Sequence, residues 1–110
     1  SIGTLSKPRR IMLLLVDLDH FKQLNDGFGH QFGDEALAHL VACAKHCFPD
    51  CTIGRLGGDK FGVVLSNIQP SELETTAEKL LDAIRHTAAE TAEGPVYVTA
   101  SIGASTSAAR

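Results

Sequence analysis

The chain has 110 residues with a formal net charge of −3, and apolar residues make up 44% of it. This length suffices for one compact domain and is too short for two. The acidic balance offers no basic field for non-specific binding to nucleic acid. The longest unbroken apolar run, residues 11–16, is far too short to cross a bilayer. We therefore expect a cytoplasmic protein, free or tethered to the membrane through a longer parent chain.

Three cysteines, Cys43, Cys47 and Cys51, lie in one short stretch of the sequence. Their odd number argues against a disulfide framework. Cys43 and Cys47 are four residues apart, and with His39 and His46 nearby they leave a zinc site open. Their spacing fits no metal motif, so we predict reduced thiols that pack as small apolar side chains.

The first half of the chain predicts a strand and two helices. Six consecutive apolar residues, 11–16, are typical of a strand that is buried on both faces. Asp19 is placed to cap a short helix over residues 21–25, and Asp26-Gly27 would end that helix. Apolar residues at helical spacing predict a second helix over residues 33–48, with acidic residues in its first turn and basic residues in its last.

The second half predicts two strands, a helix and a further strand. Residues 52–56 and 61–65 are apolar runs joined by paired glycines, which is a hairpin signal. Ser71 and Glu74 have the spacing of a capping box at the start of a helix. Alternating apolar and polar residues predict a strand over 96–102. The whole order predicts an α/β sandwich with helices on a mainly antiparallel sheet, in which the first and third strands are central.

Two carboxylates occupy positions that suit chemistry. Asp17 directly follows the first strand, and Asp59 lies in the glycine hairpin. Neighbouring strands could bring them together, and close carboxylates repel each other and are best stabilised by a divalent cation such as Mg²⁺. The spacing fits an alternative equally well, in which Asp17 and Asp19 cap a helix and Asp59 is a turn residue.

Three stretches of the chain carry a longer pattern. Residues 17–34 read DLDHFKQLNDGFGHQFGD, residues 54–61 read GRLGGDKF, and residues 98–103 read VTASIG. Together they resemble the D-x-D-x-F-K, N-D and G-H-x-x-G-D signature, the naming motif and the V-T-x-S-I-G strand of the GGDEF domain, the fold of diguanylate cyclases. The resemblance runs from about Ile11 to Ser105. It implies a palm-like α/β fold, also found in nucleotidyl cyclases and some polymerases, which agrees with the predicted element order.

The resemblance implies a cation site and a base-recognition site. Asp17 and Asp59 would be catalytic and, with the carbonyl oxygen of Leu18, would hold Mg²⁺ or Mn²⁺ while two GTP molecules are joined into cyclic di-GMP with loss of two pyrophosphates. Asn25 and Asp34 would recognise guanine, because a carboxylate accepts both neighbouring N–H groups of its Watson–Crick edge. Adenine offers no such pair, so a buried Asp34 would be left unpaired against ATP.

The resemblance also implies a phosphate site and a partner. The N–H groups near His20, Phe21 and Lys22 lie at a predicted helix start, which favours phosphate, and the charge of Lys22 would add to this. The alternative is that Lys22 is a solvated surface lysine and that Asp34 is an acid in the first turn of a helix. His30 is expected to be structural. Each domain would hold one GTP, so catalysis implies a homodimer, with a sensor or effector domain fused in the parent chain.

The chain departs from the family pattern at the hairpin and just upstream of it. The signature reads Gly57-Gly58-Asp59-Lys60-Phe61, so a lysine replaces the glutamate that usually follows the hairpin acid. A positive charge beside the predicted cation site leads us to expect impaired cyclase activity. Phe48 and Cys51 stand where many members carry an inhibitory R-x-x-D site. We therefore expect no product inhibition through that site.

The third departure is length. Residues 1–110 are expected to form a single GGDEF domain without the family's last helix and without its first, of which Ser1–Pro8 keep at most a faint trace. The alternative function is a degenerate domain that binds GTP or a partner and regulates a neighbouring domain such as a phosphodiesterase. Lys60 favours that alternative, whereas the intact acids and Asn25 favour the enzyme. A purely structural domain leaves the long polar signature unexplained.

Overall fold

The computed structural model, which describes residues 9–109, is built on a four-stranded antiparallel sheet. The strands, in chain order, are β1 (Arg9–Leu18), β2 (Thr52–Arg55), β3 (Lys60–Ser66), β4 (Ala89–Thr91), β5 (Gly94–Val96) and β6 (Ala100–Ala109). The sheet has the order β2-β3-β1-β6, and β4 and β5 form a separate hairpin. β1 and β3 are central, as predicted. The faint trace in Ser1–Pro8 lies outside the described residues.

Three helices complete the described part of the chain. They are α1 (Phe21–Phe28), α2 (His30–Cys47) and α3 (Leu73–His86), and a 3₁₀ turn (Pro70–Glu72) precedes the last. This mixture of helices and an antiparallel sheet confirms the predicted fold class. Between residues 9 and 109, none of the helices combines the length and the apolarity needed to cross a membrane.

The core lies between one face of the sheet and the helices α2 and α3. Every second side chain of β1 is buried, from Met12 through Leu14 and Val16 to Leu18, whereas Leu15 is 46% exposed. The prediction that this strand is buried on both faces is therefore wrong. Because α2 and α3 pack on the same face, the apolar residues between the buried ones stay partly open to solvent.

The junction between α1 and α2 differs from the prediction. α1 continues through Asp26-Gly27 to Phe28, and the chain turns at Gly29, whose φ of 92° suits glycine. α2 then begins at His30, three residues earlier than predicted, so no acidic residue lies in its first turn. Its last turn is basic, as predicted, with Lys45 and His46.

The start of α3 and the last strand also differ from the prediction. Glu72 accepts a hydrogen bond from the N–H of Gln69 at 3.0 Å, so these two residues form the capping box instead of Ser71 and Glu74. The β4–β5 hairpin was not predicted, and β6 covers residues 100–109 instead of 96–102. The alternating pattern continues beyond residue 102 in small residues, which carry a weak hydrophobic signal.

One-sided burial of β1 predicts different costs for truncating two adjacent leucines. We expect Leu14→Ala to lower the free energy of unfolding by about 2–5 kcal/mol, because it opens a cavity in the core. Leu15→Ala should cost about 1 kcal/mol, because roughly half of that side chain is already in water. Denaturant titration of both variants measures the difference. Equal costs would show that the outer face of β1 is buried as well.

Candidate active site

Asp17 and Asp59 are neighbours at the end of β1. Asp17 pairs in register with Lys60 of β3, and the next N–H group, that of Leu18, donates a hydrogen bond to the carbonyl oxygen of Asp59 at 3.0 Å. The β2–β3 hairpin thus brings Asp59 beside Asp17, as the topology led us to expect. Both side chains are half-buried.

The electrostatics of this pair disfavour two negative charges. Burial raises the pKa of the Asp17 carboxyl above its ordinary value, the charge of Asp59 and a side-chain hydrogen bond to it raise the pKa further, and the Lys60 ammonium lowers it. Among residues 9–109, no three His, Cys, Asp or Glu side chains are grouped so that they could hold a metal ion. A cation here would therefore need main-chain oxygens in addition to the two carboxylates.

Arg55 fixes the shape of the hairpin, a role that was not predicted. Its Nε donates to the carbonyl oxygen of Gly57 at 2.9 Å, and its Nη2 donates to that of Gly58 at 3.0 Å. The aliphatic part of Lys60 lies along Gly57, 3.5–3.9 Å from where a Cβ on that glycine would stand. The sequence did contain a sign of this role, an arginine two residues before the paired glycines. The carbonyl groups at the tip of a hairpin have no partner in the neighbouring strand, so a nearby arginine can donate to them.

Asp19 anchors the turn after β1 and does not cap α1. Its Oδ2 accepts a hydrogen bond from Thr99 Oγ1 at 2.9 Å, and its Oδ1 accepts one from Ser101 Oγ at 2.7 Å. The residue at the cap position is His20, in the left-handed conformation with φ of 60° and without a side-chain capping bond. The predicted capping role of Asp19 is therefore wrong, because β6 supplies two hydroxyl donors that compete with the helix for its carboxylate.

The predicted phosphate residues lie at the start of α1. Leu24 makes the first helical hydrogen bond, to the carbonyl oxygen of His20 at 2.9 Å, so the N–H groups of Phe21, Lys22 and Gln23 have no acceptor within the helix. The side chains of His20 and Lys22 are exposed, and Phe21 is half-buried. This arrangement offers main-chain donors to an anion.

The two predicted guanine residues lie on neighbouring helices, Asn25 on α1 and Asp34 on α2, which pack against each other. Asn25 Oδ1 is buried and finds no hydrogen-bond partner within residues 9–109. A Cβ placed on Gly33, the residue before Asp34, would overlap this oxygen. Asp34 itself is exposed, so the expectation of a buried carboxylate is wrong for the protein alone. The predicted structural residue His30 begins α2 and is also exposed.

Comparison with known proteins shows to which family the chain belongs. The family profile described as "Diguanylate cyclase, GGDEF domain" matches residues 3–110. The chain belongs to the GGDEF domain family. The resemblance carried by residues 17–34, 54–61 and 98–103 is thereby confirmed.

Individual relatives agree with this assignment. The probable diguanylate cyclase DgcT of Escherichia coli K12 is 35% identical over 95 residues, which cover 84% of this chain and 21% of that protein. The cyclic di-GMP phosphodiesterase PdeR of the same strain is 38% identical over 80 residues, covering 69% of this chain and 12% of that protein. The active GGEEF domain of a diguanylate cyclase from Vibrio cholerae has a TM-score of 0.78 at 28% identity, covering 96% of this chain and 65% of that one. The chain thus spans 21% or less of the length of these two curated relatives.

The cysteines of this GGDEF domain are free thiols, as predicted. Cys43 is buried, lies 3.6 Å from His39 Nε2 and donates to the carbonyl oxygen of Ala83 at 3.9 Å. Burial raises the pKa of the Cys43, Cys47 and Cys51 thiols, which keeps them protonated and opposes zinc binding, since zinc takes thiolates. A pocket of about 290 Å³ beside Cys43 shares no lining residue with the carboxylate site.

The close contact at Asn25 predicts opposite effects for two glycine substitutions. Gly27→Ala should raise the free energy of unfolding by about 0.5–1 kcal/mol, because alanine favours a helix and open space surrounds Gly27. Gly33→Ala should instead lower it by about 1–3 kcal/mol, because the new methyl group displaces Asn25 and crowds Phe21. Denaturant unfolding measures both. A gain of stability in both variants would show that Gly33 has no packing role.

The carboxylate pair predicts how stability depends on pH. The pKa of Asp17 is raised in the folded protein, so the folded state binds more protons than the unfolded chain, and stability falls as pH rises through that pKa. Without divalent ions, the stability of the wild type relative to Asp17→Asn should therefore decrease from acid to neutral pH. Unfolding curves at several pH values measure this, and the opposite trend would contradict a pKa of Asp17 that is raised by burial and by the charge of Asp59.

Proposed function

We propose that this chain is the catalytic domain of a diguanylate cyclase, which joins two GTP molecules into cyclic di-GMP and releases two pyrophosphates. The observation that carries the proposal is the pairing of Asp17 with Asp59 at the end of β1. Membership of the GGDEF family supports this class of reaction. A purely structural domain gains nothing from two adjacent half-buried acids, since their repulsion destabilises the fold.

Mg²⁺, or Mn²⁺ in its place, would be held by the carboxylates of Asp17 and Asp59 and the carbonyl oxygen of Leu18. The residues fit such an ion, because hard divalent cations take oxygen ligands and magnesium is usually held by one or two carboxylates together with substrate phosphates. The raised pKa of Asp17 is a further sign of fit, since a cation would relieve the repulsion that causes part of it. The ion supplies Lewis acidity toward the 3′-hydroxyl group and the α-phosphate.

GTP would be recognised between α1 and α2. The unpaired Asn25 Oδ1 supports this, because a buried acceptor without a partner is costly and a base that donates to it would relieve that cost. Asp34 would accept both N–H groups of the guanine edge. Because Asp34 is exposed in the protein alone, discrimination against ATP requires the bound base to cover it.

The phosphates would lie at the start of α1. The N–H groups of Phe21 and Lys22, next to His20, have no helical acceptor and would donate to phosphate oxygens. The exposed Lys22 ammonium adds positive charge at the same place. The nucleotide would thus span from the α1–α2 contact to the carboxylate pair.

The reaction needs two such domains facing each other, and we propose a homodimer. The 3′-oxygen of one GTP attacks the α-phosphorus of the other and loses its proton, while the bond from that phosphorus to the bridging oxygen breaks and pyrophosphate leaves. The reciprocal attack closes the ring and releases the second pyrophosphate. Each domain contributes Asp17 and Asp59 on its own nucleotide, so a symmetric pair completes the site.

Lys60 would slow this reaction without abolishing it. Lys60 lies opposite Asp17 in the β1–β3 pairing, and its charge lowers the pKa of the Asp17 carboxyl. The ammonium would therefore compete with a bound cation for the negative charge of Asp17. The exposed side chain of Lys60 lies along Gly57, which lets the ammonium move toward solvent when a cation binds. Asp59 is retained as the hairpin acid.

The alternative is a degenerate GGDEF domain that binds GTP or a partner and regulates a fused domain. Lys60 favours it, and the similarity to PdeR, a protein named as a phosphodiesterase, supports a regulatory setting. In either case we take residues 1–110 as one GGDEF domain whose parent chain carries a sensor or effector domain. With Phe48 and Cys51 in place of R-x-x-D, product inhibition at that face is not expected.

Incubation of the complete protein with GTP and Mg²⁺, followed by chromatography, tests the proposal. We expect cyclic di-GMP and pyrophosphate in a ratio of one to two, and neither product from Asp59→Ala. Lys60→Glu should raise the initial rate on the order of tenfold, because it removes a competing charge beside the cation site. Lys45→Glu is the matched control: it makes the same charge change on an exposed residue of α2 and should leave the rate unchanged.

Two results would contradict parts of this proposal. No product from either the wild type or Lys60→Glu, together with saturable GTP binding that weakens in Asp34→Ala, would show a degenerate domain. A rate and Mg²⁺ dependence that are unchanged in Lys60→Glu would show that Lys60 does not impair the site.

A further inference from the structure

Three residues beside the carboxylate pair have no part in the reaction described above. Asp19 accepts hydrogen bonds from Thr99 Oγ1 at 2.9 Å and from Ser101 Oγ at 2.7 Å, and its own N–H donates to the carbonyl oxygen of Thr99 at 3.0 Å. Both carboxylate oxygens and the main-chain N–H of Asp19 thus bond to Thr99, which precedes β6, or to Ser101, which lies in β6. We call Asp19, Thr99 and Ser101 the Asp19 clamp.

The Asp19 clamp determines the direction of one peptide group. The carbonyl of Leu18 and the N–H of Asp19 belong to the same peptide unit, which is planar and trans, so the two bonds point in opposite directions. The N–H points toward Thr99 and β6. The Leu18 carbonyl oxygen therefore points away from β6, toward the side on which β3 and the hairpin lie.

The hairpin holds the same segment from its other side. The N–H of Leu18 donates to the carbonyl oxygen of Asp59 at 3.0 Å, and the next N–H along the chain donates to Thr99. Two consecutive N–H groups are thus bonded in opposite directions, one to the hairpin and one to β6. This leaves the peptide between Leu18 and Asp19 little freedom to rotate.

The route from β1 into α1 depends on the same anchor. His20 follows the Asp19 clamp with φ of 60°, a conformation that a residue other than glycine keeps only where its surroundings hold it. The carbonyl oxygen of His20 accepts the first hydrogen bond of α1. The direction of the free N–H groups at the start of α1 therefore follows from how Asp19 is held.

We propose that Asp19 is a positioning residue for the divalent cation: through Thr99 and Ser101 it fixes the Leu18 peptide so that the Leu18 carbonyl oxygen faces the site of Asp17 and Asp59. This role rests on the proposed function only in that the carboxylate pair must bind a cation. It gives the T-x-S segment at the start of β6 a part in the site, although neither hydroxyl touches the substrate or the ion.

The opposing possibility is that Asp19 binds the cation directly. It lies two residues from Asp17, and alternate residues of an extended strand share a face. Each of its oxygens is already bonded to a hydroxyl group on the β6 side, however, and the hairpin with Asp59 lies on the β3 side. The two roles respond differently when the hydroxyl groups are removed, because removal would free the carboxylate for a cation.

The test is Mn²⁺ affinity in the complete protein with a non-hydrolysable GTP analogue, measured by water-proton relaxation, which needs no turnover. Asp19→Asn and the double variant Thr99→Val with Ser101→Ala should each weaken Mn²⁺ binding on the order of tenfold, the usual effect of losing an outer partner of a metal site. Thr99→Ser keeps the hydroxyl group and should bind as the wild type does. Ser105→Ala, an exposed hydroxyl on the same strand, is the matched control.

The outcomes separate this role from the others. A loss of stability alone lowers the fraction of protein that binds Mn²⁺ and leaves the dissociation constant of the folded fraction unchanged, and that result would overturn the proposal. Undiminished or tighter binding by the double variant, with weaker binding by Asp19→Asn, would identify Asp19 as a direct ligand. If the expected losses occur but the wild type makes no cyclic di-GMP, the positioning role stands and the cyclase proposal fails. A wild type that binds no Mn²⁺ overturns both.

Discussion

The fold holds the carboxyl groups of Asp17 and Asp59 side by side, although like charges at close range repel each other. Burial and repulsion raise the pKa of Asp17, so this contact destabilises the protein at neutral pH. Its persistence depends on the hydrogen bond between the Leu18 N–H and the Asp59 carbonyl, which connects β1 to the hairpin. The free energy that opposes the repulsion comes from the core beneath, where β1 and β3 bury alternate apolar side chains against α2 and α3.

Glycines allow α1, α2 and the β2–β3 hairpin to pack closely together beside the carboxylate pair. Gly33 admits the amide oxygen of Asn25, and Gly58 faces the ring of Phe21, with its missing Cβ 3.9 Å from Phe21 Cε2. The start of α1 therefore lies between α2 and the hairpin. Arg55 donates two hydrogen bonds to main-chain carbonyl groups of the hairpin. On the other side, the carboxylate of Asp19 accepts hydrogen bonds from the hydroxyl groups of Thr99 and Ser101. Side chains of β2, β6 and the turn after β1 therefore fix the surroundings of the carboxylate pair.

Features of the fold that depend on local sequence patterns and motifs could be predicted from the sequence. The apolar run before Asp17 indicated a central strand, and the paired glycines indicated a hairpin. From these two elements it could be inferred that Asp17 and Asp59 could lie close together, and in the structure they do. The sequence did not reveal which faces of β1 are covered, because six consecutive apolar residues look the same with one buried face or two. The end of α1 was misplaced because Asp26-Gly27 is a frequent turn pair, whereas the positive φ is needed only at Gly29.

Long-range partners were the other source of error. Asp19 has the residue type and position of a helix cap, and only the pairing of β1 with β6 shows that Thr99 and Ser101 bind its carboxylate instead. Asp34 was expected to be buried because base recognition requires it, but the protein alone leaves it exposed. The contacts of Asp19 with Thr99 and Ser101 join residues some eighty positions apart, and such contacts leave no local pattern in a single sequence. They could be found only in the folded chain.

Whether the Asp17–Asp59 pair binds a divalent cation can be seen by anomalous X-ray scattering from crystals soaked with Mn²⁺ and a non-hydrolysable GTP analogue. We expect an anomalous peak within coordination distance of both carboxylates and of the Leu18 carbonyl oxygen, with the Lys60 ammonium displaced from it. Nucleotide density without such a peak, and with Lys60 paired to Asp17 or Asp59, would contradict it.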